Sequence, residues 1–190
     1  LLDAAARERG AALPHLQDLR RRSVVHLMDA MDDDPAHSTR VAALALTLFD
    51  QTRRWHGLED SARELLEAGA LLANVGLYVS HSGHHKHSYY VIRNSDRLTG
   101  FTDHEIELIA LVARYHRKST PKPKHPEFAR LRPKDQELIR VLAGLLRVAI
   151  ALDRTHAGAV ADLRVRPTGR AILLEVCPQT HADLSLELFT

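Results

Sequence analysis

The residues best suited to chemistry in this chain are histidines, and they are concentrated in one segment. Four histidines fall between His81 and His87, and about one helix later the chain reads Arg-Tyr-His-Arg-Lys over residues 114–118. Each imidazole carries two polar nitrogens, so a buried ring needs partners for both. A metal ion, an anion or another imidazole can be that partner, and the choice among the three decides the function.

A block of positive charge accompanies the second cluster. The formal net charge is only +2, yet residues 114–134 hold eight Lys and Arg against one acid, Glu127. Such a block favours a polyanionic partner, through phosphate contacts and counterion release. The alternative interpretation is a solvated, proline-rich loop whose lysines only keep the chain soluble.

Composition excludes several classes of protein. With 45% hydrophobic and 26% charged residues, the 190-residue chain is typical of one globular domain. No apolar run approaches the roughly 20 residues of a membrane span and no secretory signal opens the chain, so we expect a cytoplasmic protein without a membrane partner. The single Cys177 excludes a disulfide framework and a thiolate zinc site. Because Leu1 is not Met, we also consider that the chain is a fragment of a longer protein.

Helices come first in the chain and strands last. Asp34, Ser88 and the pair Thr102 and Glu105 are predicted to begin helices, the last pair as a capping box, and Ser61 with Glu64 predicts another capping box. Apolar spacing then places helices at 16–31, 35–56, 61–73, 88–92, 102–118 and 133–152.

Beyond Gly158 the pattern alternates as in strands. We predict strands at 162–166, 171–176 and 183–188, with the first two joined as a hairpin. The predicted fold is therefore mainly α, with a helical domain over residues 1–157. A small antiparallel β appendage over residues 158–190 follows it.

A pattern of metal ligands is present only in part. His37 stands where metal-dependent phosphohydrolases of the HD superfamily have their first histidine ligand. Where those enzymes carry a His-Asp pair, this chain has Ala73 and Asn74. The last carboxylate ligand aligns with Ile150 or Asp153. Ala and Ile cannot coordinate a metal and Asn is a weak substitute for Asp, so we expect no dinuclear centre.

The longer histidine motif is more specific. The segment 75–95, followed by Gly100-Phe101-Thr102 and by residues 114–118, resembles the C-terminal domain of the exopolyphosphatase and guanosine pentaphosphate phosphohydrolase (Ppx/GppA) family. The resemblance covers roughly residues 26–156, and the later strands resemble the start of the small α/β piece that follows.

This resemblance implies an HD-like helical fold with a degraded metal site. It further implies dimer formation and a basic channel that holds a polyphosphate chain. In the family, an N-terminal actin-like domain with glycine-rich phosphate loops hydrolyses the phosphoanhydride bonds. No such loop occurs in these 190 residues, so we expect no catalytic residue in this chain.

Both arguments predict one anion-binding surface. Polyphosphate offers only a line of negative charges, which a line of Arg, Lys and His can bind. Nearby phosphates would raise the histidine pKa values and favour the charged imidazole. We expect polyphosphate or a guanosine polyphosphate as partner, a homodimer, and no cofactor. The predicted binding residues are His84, His85, Lys86, His87, Arg93, Arg114, His116, Arg117 and Lys118.

Two other functions stay open from the sequence. One is an HD-type phosphohydrolase that holds a divalent metal at a rearranged site drawn from His37, His85 and His116. The other is a purely structural dimerisation domain without a ligand. Nucleic acid is a weaker alternative, because the basic block lacks a groove-reading helix or a stacking platform. The scattered histidines, among them His156, are expected at the surface.

Overall fold

A computed structural model describes residues 2–169 and 171–179, in which helices precede a β-hairpin. The mainly α fold with a small antiparallel sheet is confirmed, and the strand predicted at 183–188 lies outside the described residues. None of the helices within the described residues is long and apolar enough to cross a membrane. The elements are α1 (Leu2–Met31), α2 (Pro35–His56), α3 (Asp60–Leu71), a 3₁₀ helix (Val75–Tyr78), α4 (His84–Arg93), α5 (Asp103–Arg114), α6 (Pro126–Ala129), α7 (Pro133–Leu152), β1 (Val160–Thr168) and β2 (Ala171–Pro178).

Local end signals set the bounds of α2 and α5. Asp34 caps α2, since its carboxylate accepts a hydrogen bond from the backbone N–H of His37 at 3.0 Å. Gly57 ends the same helix in a left-handed conformation with φ of 62°. Thr102 and Glu105 form a capping box at the start of α5. The sequence predicts each of these ends, and all are confirmed.

Two predicted caps are wrong. α3 begins at Asp60 without a side-chain cap, so Ser61 does not form the predicted capping box. α4 begins at His84, after Gly83 with φ of 71°, rather than at Ser88. Ser88 lies inside the helix, fully buried, because its hydroxyl bonds a different segment of the chain.

The core lies between α2, α3, α5 and α7. α3 and α5 approach each other closely at Gly69, where a Cβ would lie only 2.6 Å from Cγ1 of Val112. Burying each large apolar side chain contributes about 1.5–3 kcal/mol, so this core fixes the positions of the helix ends that carry the polar residues. The largest side chains in it with no exposed surface include Phe49, Leu66, Ile109, Leu142 and Leu146.

Arg20 ties α1 to this core. Its guanidinium donates to Glu64 of α3 at 2.8 Å and to both carboxylate oxygens of Glu105 of α5 at 2.6 Å. It also lies 4.5 Å from the centre of the Phe101 ring. One arginine therefore joins three helices. α1 itself begins well before the predicted start at Leu16, and the predicted end at residue 31 is confirmed.

The hairpin packs against α2. β1 and β2 are antiparallel, with Leu163 opposite Val176. The edge of β1 that faces away from β2 is bonded by a helix side chain: the Gln51 amide donates to the Leu163 carbonyl at 2.8 Å and accepts from the Val165 N–H at 2.7 Å. The proposed boundary between a domain at 1–157 and one at 158–190 stays a prediction.

Candidate functional site

A buried serine holds the first half of α4 against the segment before it. The Ser88 hydroxyl donates to the Ala73 carbonyl at 2.6 Å and accepts from the Gly76 N–H at 3.0 Å. A Cβ on Gly76 would overlap the His84 carbonyl and the Ser88 nitrogen, so the 3₁₀ helix and α4 are in backbone contact. This contact positions His84, the first residue of α4, close to the end of α5.

Three histidines meet where α4 begins and α5 ends. Nε2 of His84 lies 3.2 Å from Nε2 of His116, and both side chains are buried. The His85 ring stands nearly perpendicular to these two rings, with centroid distances of 6.3 and 6.4 Å. We name His84, His85 and His116 the cation-bordered cluster. The two histidine-containing segments of the sequence therefore meet in space.

Hydrogen-bond partners fix the tautomers of His84 and His116. Nδ1 of His116 lies 2.5 Å from the Ala113 carbonyl, which can only accept, so this nitrogen carries the hydrogen. Burial lowers the pKa of His116 to about 3, so the ring is neutral and its Nε2 must accept from His84. Nδ1 of His84 is then an acceptor, and Arg117 donates to it at 3.3 Å. Hydrogen bonds thus run in one direction, from Arg117 to His84, His116 and the Ala113 carbonyl.

The whole cluster is uncharged in the ligand-free chain. Burial and, after it, the neighbouring His84 ring and cations lower the pKa of His85 to about 4, and burial with Arg117 lowers the pKa of His84. Nδ1 of His85 is buried and has no hydrogen-bond partner in the described part of the chain. Within residues 2–169 and 171–179, no carboxylate bonds any of the three rings. The charged forms of these imidazoles are therefore disfavoured by their surroundings in the described part of the chain.

Four cations are placed at this cluster or next to it in the structure, and we name them the basic rim: Lys86 follows His85, Arg117 bonds His84, Lys118 follows Arg117, and Arg147 of α7 bonds the Lys118 carbonyl. The first three are exposed, while Arg147 donates to the Lys118 carbonyl at 3.2 Å. Lys118 has a φ of 60°, a conformation that is uncommon outside glycine. None of the four forms an ion pair with a carboxylate of the described residues. His87, also predicted for this surface, is half-buried on α4.

Two of the predicted phosphate-binding arginines are bonded to acids instead. Arg93 contacts both carboxylate oxygens of Asp103, at 2.7 and 3.0 Å, and Glu107 at 2.6 Å. Arg114 forms an ion pair with Glu127, and both side chains are largely buried. We leave Arg93 and Arg114 out of the basic rim because acids already compensate their charges, although Arg114 lies close enough to His85 to help lower the pKa of that ring. Their predicted role in phosphate binding stays a prediction.

A second histidine cluster lies where α2 begins and α7 ends. Nδ1 of His37 is 2.8 Å from Oδ2 of Asp153, and Arg40 donates to the same oxygen at 3.0 Å. The His156 ring stacks on His37 with centroids 3.6 Å apart, and its Nδ1 lies 2.7 Å from Oδ2 of Asp34. We name Asp34, His37, Asp153 and His156 the acid-paired cluster.

Burial and hydrogen bonding set the charges in the acid-paired cluster. Burial lowers the pKa of His37 although the bond to Asp153 opposes this shift. The hydrogen bond with His156 lowers the pKa of Asp34. Of the two positions that the sequence offers for the last carboxylate, Ile150 and Asp153, the structure places Asp153 beside His37. Asp153 is only 1% exposed, and its carboxylate accepts hydrogen bonds from Arg40 and from the Gly158 N–H as well as contacting His37.

Neither cluster is assigned as a metal centre. Among the described residues, no group of three or more His, Cys, Asp or Glu is placed to hold a metal ion. The weak candidates His37, His85 and His116 fall into two different clusters, and Nε2 of His116 is occupied by a hydrogen bond. We therefore assign none of them as a metal ligand.

Sequence reasoning missed three contributors to these sites. Ser88 has the residue type of a helix cap, so the sequence does not reveal that its buried hydroxyl bonds the Ala73 carbonyl. His156 follows Asp153 closely at the end of α7, but its bond to Asp34 spans 122 residues. Arg147 contacts a carbonyl 29 residues away and has no local signal. Only the proximity of His156 to a buried aspartate could have suggested its role.

The chain is similar to known proteins both in its family pattern and in its sequence. The model for the Ppx/GppA phosphatase, domain III, matches residues 19–186. The chain is also 30% identical, over 139 residues, to a guanosine-5'-triphosphate,3'-diphosphate pyrophosphatase of Pseudoalteromonas translucida (strain TAC 125). That match covers 73% of this chain but only 27% of the relative. The chain belongs to the Ppx/GppA phosphatase family, and the matched region is domain III.

Proposed function

We propose that this domain binds linear phosphate polyanions, polyphosphate or a guanosine polyphosphate, at the basic rim. In this proposal it serves a Ppx/GppA-type phosphatase in which another domain hydrolyses the phosphoanhydride bonds. The observation that carries the proposal is the unbalanced charge at the rim. Arg117 bonds the neutral His84 ring, and none of the four cations of the rim has a carboxylate partner in the described residues.

The contrast with other arginines of the same helices supports this proposal. Arg93 and Arg114 are each compensated by their own acids, whereas the cations of the rim repel one another without compensation. A phosphate chain would supply the missing negative charge. Arg117 suits a fork-like contact with phosphate oxygens, and Lys86 acts as a point charge. The left-handed backbone at Lys118 adds local strain of the kind that accumulates at binding sites.

The relative bears on the choice of ligand. Its name describes a pyrophosphatase that acts on guanosine-5'-triphosphate,3'-diphosphate. Such a nucleotide carries its negative charges on two short phosphate groups, whereas polyphosphate carries them in one line. A rim drawn from the start of α4, the end of α5 and Arg147 of α7 suits several phosphates of a line, so we place polyphosphate first.

Titration over a salt series tests the proposal. The 190-residue chain would be titrated with short-chain polyphosphate, and in parallel with guanosine pentaphosphate, at increasing sodium chloride. We expect the affinity to fall steeply with salt, because binding releases counterions. Arg117→Glu should weaken binding strongly. The matched control, Arg97→Glu, changes another exposed arginine that has no carboxylate partner in the described residues and lies just beyond the opposite end of α4.

Two results would contradict the proposal. One is binding that does not depend on salt, and the other is an equal loss in the two charge-reversal variants. Phosphatase activity of the purified chain that His85→Ala abolishes would instead support an HD-type phosphohydrolase. Homodimer formation, a cytoplasmic location and the HD likeness stay predictions.

A further inference from the structure

Nδ1 of His84 has one neighbour that needs it to accept a hydrogen bond and another that needs it to donate one. Arg117 Nη1, 3.3 Å away, is a donor and needs a lone pair. The His81 carbonyl oxygen, 3.4 Å away, is an acceptor and needs a hydrogen. One ring nitrogen can satisfy only one of them at a time. In the neutral chain it accepts from Arg117, as the tautomer of His116 requires.

Departure of Arg117 would leave neutral His84 with a conflict. If the hydrogen stays on Nε2, the Nδ1 lone pair faces the His81 carbonyl with no donor between them. If the hydrogen moves to Nδ1, the lone pairs of His84 and His116 face each other at Nε2, only 3.2 Å apart. Only the protonated imidazole donates to both neighbours at once. Loss of Arg117 and uptake of a proton are therefore linked by geometry.

We propose that His84 is a positioning residue that holds Arg117 in the ligand-free chain and takes up a proton when a phosphate chain draws Arg117 away. This inference rests on the proposed function. The Arg117 N–H moves from Nδ1 of His84 to a phosphate oxygen. A proton from solvent then binds Nδ1 and is donated to the His81 carbonyl. Binding thereby adds one positive charge next to the bound anion.

The groups around His84 explain why the proton is absent until an anion binds. Burial and Arg117 lower its pKa, and the other neighbours are cationic or neutral. The 3₁₀ helix contributes only the exposed Tyr78 as a titratable group, and the nearby acids are bonded to arginines: Glu127 to Arg114, and Asp103 with Glu107 to Arg93. The titratable and charged groups around it are His81, His85, Lys86 and His87 on its own segment and Arg114, His116 and Arg117 at the end of α5. Lys118 and Arg147 of α7 are the remaining cations of the basic rim.

Calorimetry in two buffers of different ionisation enthalpy measures the proton directly. The wild-type chain would be titrated with short-chain polyphosphate near pH 6. We expect uptake approaching about one proton per bound chain, and an affinity that rises as pH falls from the pKa of His84 in the bound state toward its lower pKa in the free chain. In ¹⁵N NMR spectra, His84 should change from the neutral Nε2–H tautomer to imidazolium upon binding. This signal is read on the wild type, so it does not depend on a variant folding.

Variants separate the linkage from binding itself. Arg117→Ala removes the hydrogen bond and the charge that hold His84 neutral, so its pKa should rise without ligand and proton uptake on binding should fall. Arg97→Ala is the matched control and should keep the wild-type uptake. Binding of polyphosphate without proton uptake, and with His84 still neutral, would overturn this inference and leave the proposed function intact. Absence of binding would overturn both.

Discussion

The two histidine clusters place the same side chain in opposite electrostatic settings. In the acid-paired cluster, His37 contacts Asp153 and His156 contacts Asp34, so each ring has its own carboxylate. In the cation-bordered cluster, His84 accepts from Arg117, and no carboxylate of the described residues bonds the rings. The first cluster is compensated internally and joins α2 to α7. The second lies beside cations such as Arg117 that have no carboxylate partner among the described residues. This difference favours a structural role for the first cluster and supports the proposed binding role of the second.

The largest expected effect concerns the acid-paired cluster. Asp153→Ala should lower the free energy of unfolding by about 3 kcal/mol, because it leaves His37 and Arg40 without their buried acceptor. Urea unfolding measures this change. Asp162→Ala is the control: its exposed carboxylate bonds only Arg164 and the adjacent Leu163 N–H among the described residues, so we expect a change within about 0.5 kcal/mol. Equal losses of unfolding free energy in the two variants would contradict a stabilising role for this cluster.

Acidification tests the neutral state of the cation-bordered cluster. His116 has its pKa lowered from 6.5 to about 3, so the unfolded chain takes up the proton first as pH falls. Stability is therefore complete above about pH 6.5 and declines below it, by about 2 kcal/mol at pH 5 from this residue alone. Urea unfolding at pH 7 and pH 5 measures the decline, which should be smaller in His116→Gln. Equal stability at the two pH values would contradict a buried neutral ring.

Removing one arginine at each cluster should have opposite effects on binding and on stability. Arg117→Ala should reduce the affinity for polyphosphate about tenfold, or about 1.4 kcal/mol, and should lower the free energy of unfolding less than Arg40→Ala does. Arg40→Ala should lower the free energy of unfolding and leave the affinity for polyphosphate unchanged, since this guanidinium bonds Asp153 rather than a ligand. Both variants need titration calorimetry and urea unfolding. A tenfold loss of affinity in both variants would contradict the assignment of binding to the cation-bordered cluster alone.

The smallest expected effect is at Lys86. This side chain is exposed at the start of α4, so its charge is screened by water and salt. Lys86→Ala should weaken polyphosphate binding only about twofold at low salt. The difference from wild type should vanish near 1 M salt, where the Debye length is about 3 Å. A difference that persists at high salt would mean that Lys86 makes a specific buried contact with the ligand.

Most helix positions could be predicted because, at those positions, the local capping and apolar patterns agree with the tertiary contacts. The Thr102 capping box and the apolar stripe of α7 are examples. At Ser88 they disagree, and the tertiary hydrogen bonds prevail over the capping signal. The meeting of His84 with His116 was predictable from their shared motif. The sequence could not show which cations lack an acidic partner, because the acids that bind Arg93 lie on a separate helix, α5.

The Gln51 amide has a consequence for self-association of the chain. A two-stranded sheet exposes backbone donors and acceptors along its outer edges, and such edges invite pairing with another molecule. By bonding the Leu163 carbonyl and the Val165 N–H, Gln51 occupies the positions that a foreign strand would use on β1. A single helical side chain thus blocks this stretch of the hairpin edge to the intermolecular pairing from which aggregates grow.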